Sequence, residues 1–186
     1  MEPKLELMVA ACSNMGIGFK GDLPWHLPSE KEFFTKMTSS TEDGKKKNAV
    51  IMGRKTWDSI PAHRRPLSGR INVVLTRNKD LRFGDEVVVC NSFEEAVSVL
   101  SSSRYKEQIE RFWVIGGAPI YEAALNSPHC CRVYFTKIMA EYECDTFFPN
   151  MDFGKFETVA DPQISDEIQE EQGVRYRYQV FQVKHN

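Results

Sequence analysis

The sequence predicts an α/β fold in one domain over residues 1–186, a largely parallel sheet with helices on both faces and an antiparallel strand at the C-terminal edge. Three observations carry that prediction. Short β-rich apolar runs recur along the chain, most of them are near-continuous rather than alternating, and helix-start signals fall between them. A strand buried on both faces reads as a continuous apolar run, so the pattern points to a parallel sheet covered by helices.

Taken in order, "LELMVAAC" (5–12) opens the series and "NAVIMG" (48–53), "INVVLT" (71–76), "EVVVC" (86–90), "FWVIGG" (112–117) and "RVYFTKI" (132–138) continue it. Between them, "SEKEFFTKM" offers a capping box of Ser29 with Glu32, and "SFEEAVSVL" repeats it with Ser92 and Glu95. "RKTWDSI" after Gly53 and "APIYEAAL" after Gly117 each read as a helix fed directly by a strand. The tail, "GVRYRYQVFQV", alternates and follows a turn-like "EEQG", which predicts an antiparallel pair at one edge. The lysine-bearing "SSTEDGKKKN" (39–48) reads as the most mobile loop and a solvated surface.

A chain of 186 residues with 41% hydrophobic content can bury a full core without disulfide or metal staples. Its formal net charge of -2 gathers neither nucleic acid nor anionic membrane, and no basic stripe is interleaved with aromatics. Five cysteines with no C-x-x-C pair argue against a disulfide framework and for a reducing compartment. Cys130 and Cys131 read as free thiols in a loop after "NSPH". The four histidines have no metal spacing and read as surface residues, so no metal is expected. No signal peptide or span of about 20 apolar residues is present, which predicts a soluble cytoplasmic protein, monomeric for want of an evident apolar patch.

"GIGFKG" (16–21) matches a dinucleotide fingerprint after a strand, but the fingerprint works only if its last glycine opens a helix. "DLPWHLP" follows, and its prolines forbid a helix there, so these glycines read as a flexible loop over a cleft. "VIGGAPIY" is a better phosphate cradle: a buried strand, then Gly116 and Gly117, then Pro119 early in a helix. "MGRKTW" repeats the layout with Arg54, Lys55 and Thr56 at a helix start. "LTR" adds Thr76 and Arg77 at the end of a third strand, suited to a phosphate monoester. Together they suggest a 2'-phosphorylated dinucleotide.

One acid stands out. With a helix beginning near Ser29, Glu30 shares a face with Phe33, Phe34 and Met37, at i, i+3, i+4 and i+7. A charge aimed into the apolar side needs donors there or takes up a proton.

Across nearly all of its length the chain resembles the dihydrofolate reductases of the animal type, through "NMGIGFKGDLPW", Glu30 with "FF", "VIMGRKTWDSIP", "RPLSGRINVVLTR", "WVIGGAPIY", "TKIM" and "DTFFP". The resemblance implies an eight-stranded, mostly parallel sheet, NADPH as hydride donor, and reduction of 7,8-dihydrofolate to 5,6,7,8-tetrahydrofolate. It gives Glu30 the pterin 2-amino group and N3 as partners, with Thr136 fixing the carboxylate. It places Trp25 and Leu23 beside a water that protonates N5. It assigns the pterin side to Met8, Ile115 and Tyr121, the rings to Phe34, Ile60 and Leu67, and the substrate α-carboxylate to Arg70. For the cofactor it implies Ala10, Ile17, Gly18, Gly21, Asp22, Leu75, Ala118, Pro119 and Ile120, besides the glycines and phosphate-binding residues named above. Antifolate inhibitors would share the substrate pocket. Asp145 in "DTFFP" reads as structural, tying the loop to the backbone.

Three positions depart from the pattern: Lys31 replaces the usual phenylalanine or leucine, Asn91 a vertebrate arginine near the 2'-phosphate, and Arg64 a neutral residue. Lys31 and Arg64 suggest a preference for polyglutamylated substrate. The competing readings are a related pterin or pyrimidine reductase, which need not keep Glu30, Thr136 and Arg70 together, and a silent folate- or NADPH-binding protein, which need not keep the loop "GIGFKGDLPW".

Overall fold

The computed structural model of the protein describes residues 3–185. Its elements run β1 (Leu5–Ala11), β2 (Gly16–Gly18), α1 (Pro28–Ser39), β3 (Lys47–Gly53), α2 (Arg54–Ser59), β4 (Arg70–Leu75), β5 (Val88–Cys90), α3 (Phe93–Leu100), α4 (Ser103–Lys106), β6 (Ile109–Gly116), α5 (Ala118–Leu125), β7 (Cys130–Ile138), β8 (Thr146–Phe147), β9 (Phe156–Val159), β10 (Gln169–Glu171) and β11 (Val174–Val183). Eight strands form the main sheet in the order β10-β11-β7-β1-β6-β3-β4-β5, and β9 adds to the outer flank of β11. The pairs from β7 through β5 are parallel, whereas β11 runs antiparallel to β7, β10 and β9. The mixed sheet and its antiparallel C-terminal end are those the sequence predicts.

The continuous apolar runs are explained by burial on both faces. Along β3, Ala49 and Ile51 pack on one side of the sheet while Val50 and Met52 pack on the other. Likewise Leu5, Leu7 and Val9 of β1 face one layer and Met8 faces the opposite one. Each fully buried Val, Leu or Ile contributes about 1.5–3 kcal/mol relative to exposure. Alternation would have left one face wet.

Two buried asparagines satisfy backbone groups at the margins of this core. Asn48 donates to the carbonyls of Thr38 and Ser40 at 3.0 and 2.9 Å, ending α1, and accepts from the Arg111 N–H at 3.1 Å. Asn72 exchanges hydrogen bonds with the Leu67 backbone at 2.9 and 3.0 Å, shaping the 67–72 turn.

Several expectations are corrected. The Ser29–Glu32 capping box does not form: α1 starts at Pro28 in its first turn, and no side chain of its own caps it. Instead the Glu171 carboxylate reaches from β10 to accept the Ser29 N–H at 3.1 and 3.2 Å, and the Ser29 hydroxyl as well. Half of the second box holds: Ser92 Oγ accepts the Glu95 N–H at 3.0 Å, while the Glu95 carboxylate accepts the N–H of Asn91, one residue before the cap. The "EVVVC" strand shortens to Val88–Cys90, because the Val87 N–H turns back to the Gly84 carbonyl at 3.3 Å. Cys130 and Cys131 begin β7 rather than lying in a loop, and both are free. His129 is half-buried, its carbonyl accepting the Leu5 N–H at 2.8 Å, while His26, His63 and His185 are exposed. The 39–48 loop is tied down: the Glu110 carboxylate accepts the N–H groups of Glu42 and Asp43 at 2.9 and 2.8 Å.

A carboxylate on two helix-start donors is a remote cap for α1, so Glu171→Ala costs about 1 kcal/mol of stability. Urea denaturation checks this, with Ser92→Ala as the matching control on α3.

Candidate active site

The site gathers at the carboxyl ends of β1, β3, β4 and β6, where open α/β sheets place their ligands. Helix α1 supplies Glu30 in its first turn, with Phe33, Phe34 and Met37 on the same face as predicted. Strand β7 supplies Thr136, which pairs with Ala10 of β1 and Tyr178 of β11 in the sheet register. The Thr136 hydroxyl donates to Glu30 Oε1 at 3.3 Å, and the two side chains are only 1% and 6% exposed respectively. Burial pushes the Glu30 carboxyl up to about 7, against the downward pull of the Thr136 bond and the Lys31 charge.

Next to it, Tyr121 of α5 donates its hydroxyl to the Met8 carbonyl at 2.7 Å. Burial and the nearby Glu30 charge hold that phenol in its protonated form by raising its pKa. The Tyr121 ring lies against Gly116, whose φ of +114° belongs to the left-handed region. A Cβ there would sit 3.1 Å from the ring, so only glycine fits. The Gly116–Gly117 peptide is cis.

The two strand-to-helix glycine turns lie side by side. A Cβ on Gly53 would approach Ile120 Cγ1 at 3.3 Å, and one on Gly117 would approach Thr56 Oγ1 at 3.6 Å. The starts of α2 and α5 therefore share one backbone-lined cradle, bordered by Ala118, Pro119 and Ile120. Arg54 and Lys55 are exposed at the start of α2, with Arg54 3.6 Å from Asp58. At the end of β4, Leu75 is buried, Thr76 Oγ1 accepts the Asn78 N–H at 3.1 Å, and Arg77 is exposed.

"GIGFKG" opens no helix. Gly16–Gly18 form β2 and pair with β8, and Phe19 bridges Asp22 around a tight turn at Lys20 and Gly21. Asp145 does the tying expected of it: its carboxylate accepts the Lys20 N–H at 2.9 Å, and its own N–H donates to the Gly18 carbonyl at 3.0 Å. Ile17 packs on the core beside this pair. Farther on, Leu23 is exposed and Trp25 is buried, edge-on to Tyr142 at 5.7 Å. Trp25 Nε1 is a buried donor with no partner among the described residues.

Arg70 is 8% exposed, and donates from Nε to the Ser68 carbonyl and from one Nη to Thr38 Oγ1, each at 2.9 Å. Among the described residues no carboxylate lies within ion-pairing reach of it, and burial lowers its pKa. A buried guanidinium with no counter-ion suits an anionic ligand. Phe34, Ile60 and Leu67 pack with Met8 and Ile115 in one apolar cluster, while Lys31, Arg64 and Asn91 are exposed.

Sequence reading missed the residues that position these groups. Arg65 donates to the carbonyls of Trp57 and Ile60 at 2.9 and 3.1 Å, Asn72 sets Leu67, and Phe33 stacks on Tyr178 with centroids 3.9 Å apart. The Phe33–Tyr178 stack joins distant elements, while the Arg65 and Asn72 bonds span five to eight residues of turn that no residue pattern announces.

Residues 4–183 match the family model described as dihydrofolate reductase. This chain is 46% identical over 181 residues to the dihydrofolate reductase of Heliothis virescens, covering 96% of each protein. It is 42% identical to that of Aedes albopictus, covering 96% of this chain and 97% of the relative. Its structure aligns with the Schistosoma mansoni dihydrofolate reductase at a TM-score of 0.87, 34% identity, and coverage of 99% and 100%. The chain belongs to the dihydrofolate reductase family. Dihydrofolate reductases are oxidoreductases that use a nicotinamide cofactor, and the paired glycine turns with their flanking cations fit such a group. Among the described residues no cluster suits a metal ion, and no helix is long and apolar enough to cross a membrane.

Glu30 sets a pH dependence of stability. Its folded pKa of about 7 exceeds the ordinary 4.5, so the folded chain binds the extra proton. That contribution is fully present below pH 4.5 and is lost as pH rises to about 7. The loss is on the order of 3 kcal/mol. Comparing urea unfolding of the protein with that of Glu30→Gln at both pH values should show the protein alone losing this amount.

Proposed function

We propose that this chain reduces 7,8-dihydrofolate to 5,6,7,8-tetrahydrofolate with NADPH, in the cytoplasm and as a monomer. The observation that carries the reading is the buried Glu30 carboxylate, oriented by Thr136 and titrating near neutrality. Its two oxygens suit the paired N–H donors of a pterin 2-amino group and N3, and those donors offset the cost of burying the charge. Met8, Ile115 and Tyr121 form the wall around that ring. Phe34, Ile60 and Leu67 supply the apolar surface for the p-aminobenzoyl ring, and Arg70 the fork for the α-carboxylate. Lys31 and Arg64 extend positive charge toward further γ-linked glutamates, and antifolates would compete for the same pocket.

When bound, the reduced nicotinamide supplies a hydride from its C4 to pterin C6. The backbones of Ala10, Ile17, Gly18, Gly21 and Asp22 would flank that ring, with Gly116, Gly117, Ala118, Pro119 and Ile120 holding the pyrophosphate. Arg54, Lys55 and Thr56 would assist them, while Leu75, Thr76 and Arg77 take the adenosine and its 2'-phosphate. N5 takes its proton from a water beside Trp25 and Leu23, while the Glu30 carboxylate favours the N5-protonated form. The loop from Gly16 to Trp25 excludes bulk water during the transfer.

Loss of the nicotinamide absorbance on mixing protein, NADPH and dihydrofolate tests the reaction. Folded protein that binds NADPH without consuming it overturns this reading. Glu30→Gln should lower neutral-pH turnover about a hundredfold or more, with partial recovery toward pH 5. Arg77→Ala should raise the KM for NADPH about tenfold while leaving that for NADH unchanged, since only the former presents the phosphate.

A further inference from the structure

Two thiols meet beneath the loop that covers the proposed site. Cys12 follows the end of β1 and Cys144 immediately precedes the Asp145 anchor; their sulfurs are 3.7 Å apart across 132 residues of sequence. No other part of the machinery uses them, and both are free. We propose that Cys144 is a thiol-modification site resolved by Cys12, and that the disulfide they form pins the 16–25 loop and slows turnover.

The surroundings prepare the bond. Backbone hydrogen bonds hold the two segments on either side of the sulfurs: Ser13 N–H to the Ala140 carbonyl at 3.0 Å, Asp145 N–H to the Gly18 carbonyl at 3.0 Å, and Phe148 N–H to the Met15 carbonyl at 2.8 Å. The Cys144 side chain fits because residue 16 is glycine, where a Cβ would lie 2.1 Å from its sulfur. Bond formation needs the sulfurs to close from 3.7 Å to about 2.05 Å. It strands no polar atom. The Cys12 thiol now donates to Asn14 Oδ1 at 2.9 Å, and that oxygen keeps the Gly16 N–H at 3.0 Å when the thiol proton leaves.

Access sets the order of attack, because Cys12 is 2% exposed and Cys144 is half-buried. The oxidant is a low-molecular-weight disulfide. The Cys144 thiolate attacks one of its sulfurs, breaking that S–S bond and releasing one small thiolate. Cys12 thiolate then attacks the Cys144 sulfur and expels the second. Two protein thiols become one disulfide, the oxidant becomes two small thiols, and these take up the two cysteine protons. Burial, the Cys12 thiol and the Asp145 charge push the Cys144 thiol up to about 11, so little thiolate is present near neutrality and the exchange is slow there.

The inference rests on the proposed reductase activity for its effect on rate, but the bond itself is read by mass. Purified protein is equilibrated with oxidised glutathione at about pH 8.5, where more thiolate is present, then alkylated and digested. A peptide pair joining Cys12 to Cys144, reversed by dithiothreitol and absent from Cys12→Ser and Cys144→Ser, is expected. Turnover of the oxidised protein should fall about threefold or more and recover on reduction, while both variants keep full turnover throughout. Folded protein that yields no linked pair, or that stops at glutathione on Cys144, overturns the proposal. A linked pair with unchanged turnover overturns the control of the loop. Absence of activity in the reduced protein would instead count against the reductase reading, leaving the mass result to judge the bond.

Discussion

A carboxylate on the apolar side of α1 is the constraint around which the site is arranged. Glu30 is surrounded by residues that belong to the core, and only Thr136 offers it a hydrogen bond within the described structure. One neutral donor does not match the solvation that water would give a charge, which is why burial dominates its titration. The group is thus left poised between its two forms and short of donors. A ligand presenting two N–H groups would settle both conditions at once.

The rest of the fold supplies the rigidity that such a group needs. Thr136 stands on a strand flanked by β1 and β11, so its hydroxyl is fixed by a paired backbone on both sides. The start of α1 is held by Glu171 from the β10–β11 hairpin, which ties the helix carrying Glu30 to the far edge of the same sheet. Gly116 lets the Tyr121 ring close over the end of β6 and reach the Met8 carbonyl. Acid, hydroxyl and backbone wall are therefore positioned by the sheet rather than by mobile loops.

Much of this was legible in the sequence because it depends on local pattern. The continuous apolar runs of β3, β4 and β6 foretold burial on both faces, and the 3.6-residue period placed Glu30 with Phe33, Phe34 and Met37. The prolines after Gly21 correctly denied "GIGFKG" its helix, since proline at 24 and 28 acts on the backbone at once. Besides the side-chain bonds that shape the turns around Arg65 and Asn72, what stayed hidden lies at long sequence separation. Ser29 and Glu32 have the spacing of a capping box, yet the bond goes to Glu171, a partner that no window around residue 29 contains. The approach of Cys12 to Cys144 is invisible for the same reason, because 132 residues separate them and the only neighbouring cysteines in the sequence are Cys130 and Cys131.

Two inward-facing arginines, Arg70 buried and Arg111 half-buried, show what structure adds where residue type is silent. Arg111 donates to Glu6 at 2.8 and 2.6 Å and to the Tyr134 hydroxyl at 3.0 Å, and lies 4.4 Å over the Trp113 ring. Burial pulls its pKa down, but the bonds to Glu6 more than reverse that, and the charge is fully met inside the protein. Arg70 is buried, yet its donors meet only a carbonyl and a threonine hydroxyl, and burial lowers its pKa unopposed. A charge with its own counter-ion has a structural reason to be inside. A charge without one is retained at a cost to the folded chain that its two neutral acceptors only partly offset, and that difference is the ground on which Arg70, rather than Arg111, is proposed to meet an anionic ligand.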